Sequence, residues 1–83
     1  MPIVYQMEKY SWNARTGGYD NTEKLVYPLT LKEVRARVAR LPETTIWLWN
    51  VSKYRLNKNC YGGRELISDI NADEFDGDVP DYD

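Results

Sequence analysis

The sequence predicts a small α+β domain, a mostly antiparallel sheet of about four strands with one helix packed on a face, in the order β-β-α-β-β. Three observations lead to this prediction. Segments rich in β-branched and aromatic residues lie on both sides of one well-marked helix. Glycine and proline punctuate these segments. Finally, a chain of 83 residues buries only about 60–65% of its unfolded surface, which supports a single core.

The first two strands are predicted to form a hairpin. Residues 3–13 are rich in β-branched and aromatic side chains and predict the first strand. A connection over residues 13–20 contains two adjacent glycines, which adopt the positive φ values of tight turns. The second strand is predicted around residues 22–27, and we expect Pro28 to end it because proline has no amide hydrogen for the ladder.

The helix carries the clearest local signal in the chain. Thr30 and Glu33 stand three residues apart in a capping box, in which each side chain satisfies an otherwise unpaired backbone amide. Apolar residues then recur at helical spacing up to Leu41, and Pro42 biases Leu41 out of the helical region. We therefore predict a helix over residues 31–40.

The second half of the chain is predicted to complete the sheet. Residues 44–51 are rich in β-formers and predict a central strand, on which Trp47 and Trp49 share one face. We expect at least two of the three tryptophans to be buried, with an exposed Trp47 and Trp49 pair as the alternative. Residues 53–56 continue this strand or start another, and residues 65–70 form a strand or a short helix. This element order also fits a β-grasp arrangement.

The charges are strongly segregated along the chain. Residues 1–64 carry all 11 basic residues and five acidic ones, a net charge of +6, whereas residues 65–83 carry the other eight acidic residues. We predict a folded domain over residues 1–75 and a flexible acidic tail over residues 76–83. Such a tail can engage a partner, fold back onto the basic helix, or serve only solubility.

The composition argues against catalysis and against a bound cofactor. The chain has no histidine, the side chain best suited to proton transfer at neutral pH, and one cysteine, Cys60. Asp69, Asn71 and Asp73 have the first three spacings of a calcium loop, but Glu74 replaces the glycine that such a loop requires. No apolar run is long enough for a membrane span. We expect a cytoplasmic protein that is not an enzyme and has no cofactor, no metal and no membrane partner.

The leading functional hypothesis is a protein-binding module that uses acidic and aromatic side chains against a basic surface. In size, acidity and lack of a catalytic motif, the chain is similar to small phage and mobile-element inhibitors of host nucleic-acid-handling or defence complexes, including the anti-CRISPR and anti-restriction classes. A homodimer formed at an open sheet edge is compatible with this hypothesis. The residues expected to contact the partner are Trp47, Trp49, Asp73, Glu74, Phe75, Asp76, Asp78, Asp81, Tyr82 and Asp83.

The alternative hypothesis is a nucleic-acid-binding domain. Basic side chains on the helix and in the region between residues 53 and 64 could form one patch beside Tyr54 and Tyr61, as in proteins that stack single-stranded bases. The overall pI near 5.1 argues against it. The residues of this patch are Lys32, Arg35, Arg37, Arg40, Lys53, Arg55, Lys58 and Arg64.

Overall fold

The computed structural model describes residues 2–75 and contains one four-stranded sheet and one α-helix. The sheet order is β2-β1-β3-β4, and every neighbouring pair is antiparallel. This confirms the α+β class and the β-β-α-β-β order; the sheet is antiparallel throughout. The elements are β1 (Ile3–Asn13), β2 (Gly18–Leu29), α1 (Leu31–Arg40), β3 (Trp49–Leu56) and β4 (Arg64–Asn71).

The first hairpin is longer than the sequence predicts. A turn after Asn13 closes through the Gly17 amide, which donates to the Asn13 carbonyl at 2.8 Å, and Gly17 takes a φ of +70°. Pro28 does not end β2, which runs on to Leu29. The prediction was wrong because β2 is an edge strand, where a missing amide need not cost a ladder hydrogen bond. The pairing with β1 also shifts register at three places.

The helix has the predicted bounds and the predicted cap. The Glu33 amide donates to the Thr30 hydroxyl at 3.2 Å, and the Thr30 amide donates to the Glu33 carboxylate at 2.9 Å. The hydrogen bond from the Thr30 amide, assisted by the Thr30 side chain, also holds the pKa of the Glu33 carboxylate below its ordinary value. At the other end, the Leu41 amide donates to the Val38 carbonyl in the last turn, and Pro42 follows.

The predicted strand over residues 44–51 is wrong in its first half. The Pro42 carbonyl accepts hydrogen bonds from the Thr45 and Ile46 amides at 3.0 and 2.9 Å, so these amides are used in a local turn. A 3₁₀ helix then covers Ile46–Leu48, and β3 begins only at Trp49. Trp47 and Trp49 therefore do not share a strand face.

The last strand and the turn after it complete the described chain. Residues 53–56 continue β3, and residues 65–70 belong to β4 and not to a helix. A 3₁₀ turn, Ala72–Glu74, then begins at Asn71, whose side-chain oxygen accepts from the Asp73 amide at 2.8 Å. Among residues 2–75, no helix is long and apolar enough to cross a membrane.

The core lies between α1 and one face of the sheet, which we call the helix-side face. Val34 of the helix is fully buried against the central strands, where Met7 of β1 pairs with Val51 of β3. None of the three tryptophans is fully buried, so the expectation that two would be was wrong; only Trp49 packs against this core, and it does so in part. The buried residues are Tyr5, Met7, Leu29, Val34, Val51 and Ala72.

Candidate partner-binding surface

Three aromatic side chains form an exposed cluster at one end of the sheet. The ring centroids of Trp12 and Tyr19 lie 5.1 Å apart, as do those of Tyr19 and Trp47, and both pairs meet edge to face. The three residues are 54%, 50% and 46% exposed, respectively. Edge-to-face pairs contribute about 0.5–1.5 kcal/mol beyond their burial, so the rings hold one another in place. We call Trp12, Tyr19 and Trp47 the aromatic cluster.

The cluster is assembled from three separate elements. The β1–β2 hairpin brings Trp12 near the end of one strand beside Tyr19 at the start of the next. Trp47 comes from the 3₁₀ helix before β3, where its indole nitrogen donates to the Thr44 carbonyl at 3.0 Å. The 3₁₀ helix, which stands where the first half of a strand was predicted, therefore places Trp47 beside the other two rings.

Asn71 connects this cluster to the acidic part of the chain. Its side-chain amide donates to the Trp47 carbonyl at 2.8 Å, while its side-chain oxygen caps the turn through the Asp73 amide. Asp73 and Glu74 are both exposed. On the hairpin side, Asp20 is also exposed and accepts a hydrogen bond from Thr16. Carboxylates therefore stand on both the hairpin and the Asn71 side of the cluster.

The structure separates the predicted partner-binding residues into three groups. Trp47, Asp73 and Glu74 are exposed, as a contact surface requires. Trp49 and Phe75 pack partly against the core, so their main contacts are within the domain. The remaining predicted residues lie outside the described part of the chain, and these are Asp76, Asp78, Asp81, Tyr82 and Asp83.

Sequence reasoning missed Trp12 and Tyr19. The hairpin prediction contained the necessary signal, because a tight connection brings the two ends of its strands together. Tyr19 was placed in the connection and not in the second strand, so its proximity to Trp12 was not inferred. The contact with Trp47 joins residues distant in sequence, and no local pattern indicates it.

The face of the sheet opposite α1, the open face, carries a stacked arginine. The guanidinium carbon of Arg64 lies 4.0 Å from the Tyr54 ring centroid and 4.5 Å from that of Tyr27. One guanidinium nitrogen also donates to the side-chain oxygen of buried Gln6 at 3.1 Å. Arg64 thus covers the side chain of Gln6, which would otherwise face water. Its positive charge interacts with aromatic rings of the same domain.

The predicted basic patch is divided between the two faces of the sheet. Arg64 and Tyr54 lie on the open face, whereas Lys53 and Arg55 pair with Tyr5 and Ile3 on the helix-side face. Neighbouring residues of a strand point to opposite faces, so one continuous patch cannot include both sets. Tyr61 is fully exposed in a separate turn, with Lys58 exposed nearby in sequence.

The cations of the helix are exposed, and two of them border a groove of about 450 Å³ beside α1. Met7, Leu41 and Trp49 contribute its apolar lining, and Glu33 is its one acidic residue. Because the Glu33 carboxylate caps the helix and its pKa is lowered, it is a poor proton acceptor at neutral pH. The cations that line the groove are Lys24, Arg37 and Arg40.

A second polar network occupies the open face. The Tyr10 hydroxyl donates to the Glu8 carboxylate at 2.6 Å, and Thr22 donates to the same carboxylate at 2.7 Å. The hydrogen bond to Glu8, together with partial burial and the nearby negative charges, raises the pKa of Tyr10 to about 12. Tyr10 is therefore a hydrogen-bond donor across the physiological range.

The calcium-loop spacing does not produce a metal site in the described chain. Asp69 accepts hydrogen bonds from Asn50 and Ser52, and Asn71 is engaged with Trp47 and Asp73. Within residues 2–75, no group of three or more cysteine, aspartate and glutamate side chains is placed to hold an ion. Cys60 is a half-buried free thiol.

Comparison with known proteins gives no relative from which a role could be transferred. No family model matches the chain, and no curated protein or solved structure matches it significantly.

Proposed function

We propose that this protein is a non-enzymatic binding module that attaches to a protein with a basic surface, acting in the cytoplasm as a stoichiometric inhibitor of a phage or mobile-element type. The observation that carries the proposal is the aromatic cluster, three half-exposed rings held in edge contact at one end of a small domain. Exposed aromatic residues that are already ordered are typical anchors of protein interfaces.

The cluster is large enough to anchor a complex. Half-exposed tryptophan and tyrosine side chains each offer about 100 Å² of surface, so the three offer about 300 Å². At about 25 cal/mol per Å², covering this surface contributes roughly 7 kcal/mol before the cost of association. A patch of this size matches the largest exposed apolar patch of an ordinary monomer, and that patch is often functional.

The neighbouring charges favour a basic partner. Asp20, Asp73 and Glu74 are exposed near the cluster, and four more acidic residues follow in residues 76–83. Such charges increase the association rate with a cationic surface, and the effect falls with ionic strength. A surface that normally binds nucleic-acid phosphate has the matching chemistry, which supports inhibition of a nucleic-acid-handling or defence complex.

The test removes one ring of the cluster and compares it with a ring elsewhere. Proteins captured from a host lysate on the immobilised full chain are identified and purified, and the affinity of each is measured for the wild type, Trp47→Ala and Tyr61→Ala. Tyr61 is the matched control because it is fully exposed and lies outside the cluster. We expect W47A to reduce the affinity for a true partner roughly 30-fold or more, and Y61A to reduce it less than threefold.

Two results would contradict the proposal. One is a partner that binds W47A, Tyr19→Ala and the wild type with equal affinity, which would move the interface away from the aromatic cluster. The other is a captured protein whose affinity does not fall between low and high salt, which would remove the role assigned to the acidic residues.

The alternative function, nucleic-acid binding, is supported by the four exposed cations of α1 and the cationic border of the groove. It predicts measurable affinity of the full chain for single-stranded oligonucleotides, falling steeply with salt. Arg37→Gln combined with Arg40→Gln should then reduce affinity at least tenfold, whereas W47A should not. If W47A instead reduces the affinity for a captured protein and the double arginine substitution does not, the result supports the protein-binding function.

A further inference from the structure

The groove beside α1 combines an apolar floor with a cationic border. Its volume of about 450 Å³ lies within the range of about 300–1,000 Å³ that is typical of small-molecule sites. In its floor, Met7 is buried, whereas Leu41 and Trp49 are half-buried and keep apolar surface open to a ligand. The border carries three exposed cations, which are Lys24, Arg37 and Arg40.

The sheet places Lys24 at the groove independently of the helix. Lys9 of β1 pairs with Lys24 on one side and with Trp49 on the other, so the three residues form one row across the helix-side face. Neighbouring strands lie about 4.8 Å apart, so the backbones of Lys24 and Trp49 are about 10 Å apart. The sheet therefore supplies a cation at one end of this row and an aromatic ring at the other.

The positive charges of the groove are not compensated within the domain. In the chain from residue 2 to residue 75, its three cations form no ion pair, whereas the ammonium of Lys9 lies 3.1 Å from the Glu23 carboxylate. With Glu33 as its one acidic residue, the groove lining has a net charge of +2. The helix dipole favours Arg37 and Arg40 in the last turn of α1, but it does not account for Lys24 on β2.

We propose that this groove binds a small organic anion that has one carboxylate head group on an apolar body, as a medium-chain fatty acid has. Arg37 and Arg40 stand three residues apart on α1, where side chains are neighbours, and a guanidinium binds a carboxylate through two parallel hydrogen bonds. Lys24 adds a cation from the sheet. The apolar body covers the floor of the groove, which removes its exposed apolar surface from water.

Glu33 limits the number of negative charges that the groove accepts. Its carboxylate accepts a hydrogen bond from the Thr30 amide at 2.9 Å, and this bond lowers its pKa, so the group is ionised at neutral pH. A nucleic-acid strand carries a negative charge at every nucleotide and would bring several of them close to this carboxylate. An anion with a single head group avoids this repulsion, which favours it over a polyanion as the occupant.

The first experiment titrates the full chain with octanoate and follows the indole N–H signals of its three tryptophans by NMR. Octanoate should shift the Trp49 signal with a dissociation constant on the order of 1 mM. At equal concentration, acetate lacks the apolar body and 1-octanol lacks the charge, so each should shift this signal less than a third as much. The signals of Trp12 and Trp47 report on the aromatic cluster and should move less than half as far as that of Trp49.

Three results of this titration would overturn the proposal. The first is a Trp49 signal that does not respond to octanoate. The second is an equal response to octanoate and 1-octanol, which would show that the cations contribute nothing. The third is an equal shift of all three indole signals, which would indicate unspecific adsorption to exposed rings.

The second experiment adds a negative charge to the groove. Ala36 lines the groove, whereas Ala39 is exposed on the same helix outside the lining. Ala36→Glu should reduce the affinity for octanoate at least fivefold, because the new carboxylate repels the head group. Ala39→Glu adds the same side chain and should reduce it less than twofold. Equal affinities of A36E and A39E would contradict the assignment of the site.

The third experiment removes cations in matched pairs. Arg37→Gln with Arg40→Gln should reduce the affinity for octanoate at least fivefold. Lys32→Gln with Arg35→Gln removes the same charge from α1 outside the lining and should reduce it less than twofold. Equal effects of the two double variants would exclude the proposed head-group contacts, and a Trp49 signal that responds to a single-stranded oligonucleotide but not to octanoate would assign the groove to nucleic acid.

This inference is independent of the proposed function. The groove and the aromatic cluster share no residue. W47A should therefore leave the affinity for octanoate unchanged, and A36E should leave the affinity for a captured protein unchanged. Failure of either proposal can thus be recognised without reference to the other.

Discussion

The side chain of Asn71 joins two elements at once, because its amide donates to the carbonyl of Trp47 at 2.8 Å while its oxygen caps the turn that follows β4. The position of Trp47 and the position of the acidic turn therefore both depend on the hydrogen bonds of Asn71. The placement of the aromatic cluster is thus coupled to the turn that directly follows β4.

Asn71→Ala should destabilise the domain by about 1–3 kcal/mol, since it removes a cap and a second hydrogen bond. Denaturant unfolding followed by circular dichroism measures this difference. Asn21→Ala is the matched control, because Asn21 is exposed on edge strand β2, where its amide donates to Ser11 at 3.3 Å. If N71A lowers the unfolding free energy no more than N21A does, the two hydrogen bonds of Asn71 do not stabilise the fold.

Replacing Arg64 with lysine should cost about 1–2 kcal/mol although the charge is kept. Lysine cannot reproduce the planar contact with the Tyr27 and Tyr54 rings while also donating to Gln6. Arg35→Lys, on the exposed side of α1, is the control and should change the unfolding free energy by less than about 0.5 kcal/mol. Equal unfolding free energies of R64K and R35K would show that the stacking does not stabilise the fold.

Tyr10 should make stability depend on pH in the alkaline range. Its pKa is raised from 10.0 to about 12 in the folded state, so its contribution is complete below pH 10 and is lost as the pH rises towards 12. The difference in unfolding free energy between the wild type and Tyr10→Phe should therefore shrink over this interval, by roughly 1 kcal/mol after allowance for solvent screening. Chemical unfolding at several pH values measures it, and a constant difference would contradict the assignment.

Removal of the capping box at the start of α1 should lower the stability of the domain by a measurable amount. Thr30→Ala should reduce stability by about 1 kcal/mol, because the Glu33 amide loses its acceptor. Thr44→Ala is the same substitution at an exposed turn and serves as the reference. The hydrogen bond that the Glu33 carboxylate accepts should weaken only in acid, as the pH falls through the lowered pKa of this carboxylate. Equal stabilities of T30A and T44A would exclude a stabilising cap.

The parts of the fold that the sequence predicted well are those with local causes. The bounds of α1 follow from Thr30, Glu33 and Pro42, which act within a few residues. The first strand follows from its composition. Pro28 was misjudged because its consequence depends on β2 being an edge strand, and the strand order is decided by pairings across the whole chain.

The site was harder to predict because it depends on contacts between distant segments. The β-formers around Trp47 predicted a strand, yet hydrogen bonds to the Pro42 carbonyl turned this segment into a 3₁₀ helix. The cluster then needed the hairpin to place Trp12 and Tyr19 beside it. The basic patch failed for a related reason, since alternation along β3 and β4 divides its members between two faces.

The two edges of the sheet differ in a way that limits how copies of this chain can assemble. Strand β2 carries Pro28 and three register shifts, features that disfavour the pairing of another strand along it, whereas β4 has no proline and a single shift opposite β3. Extension of the sheet through main-chain hydrogen bonds is thus more favourable at β4 than at β2. Two copies that paired β4 with β4 would leave only β2 edges outward, which disfavours further growth of the sheet.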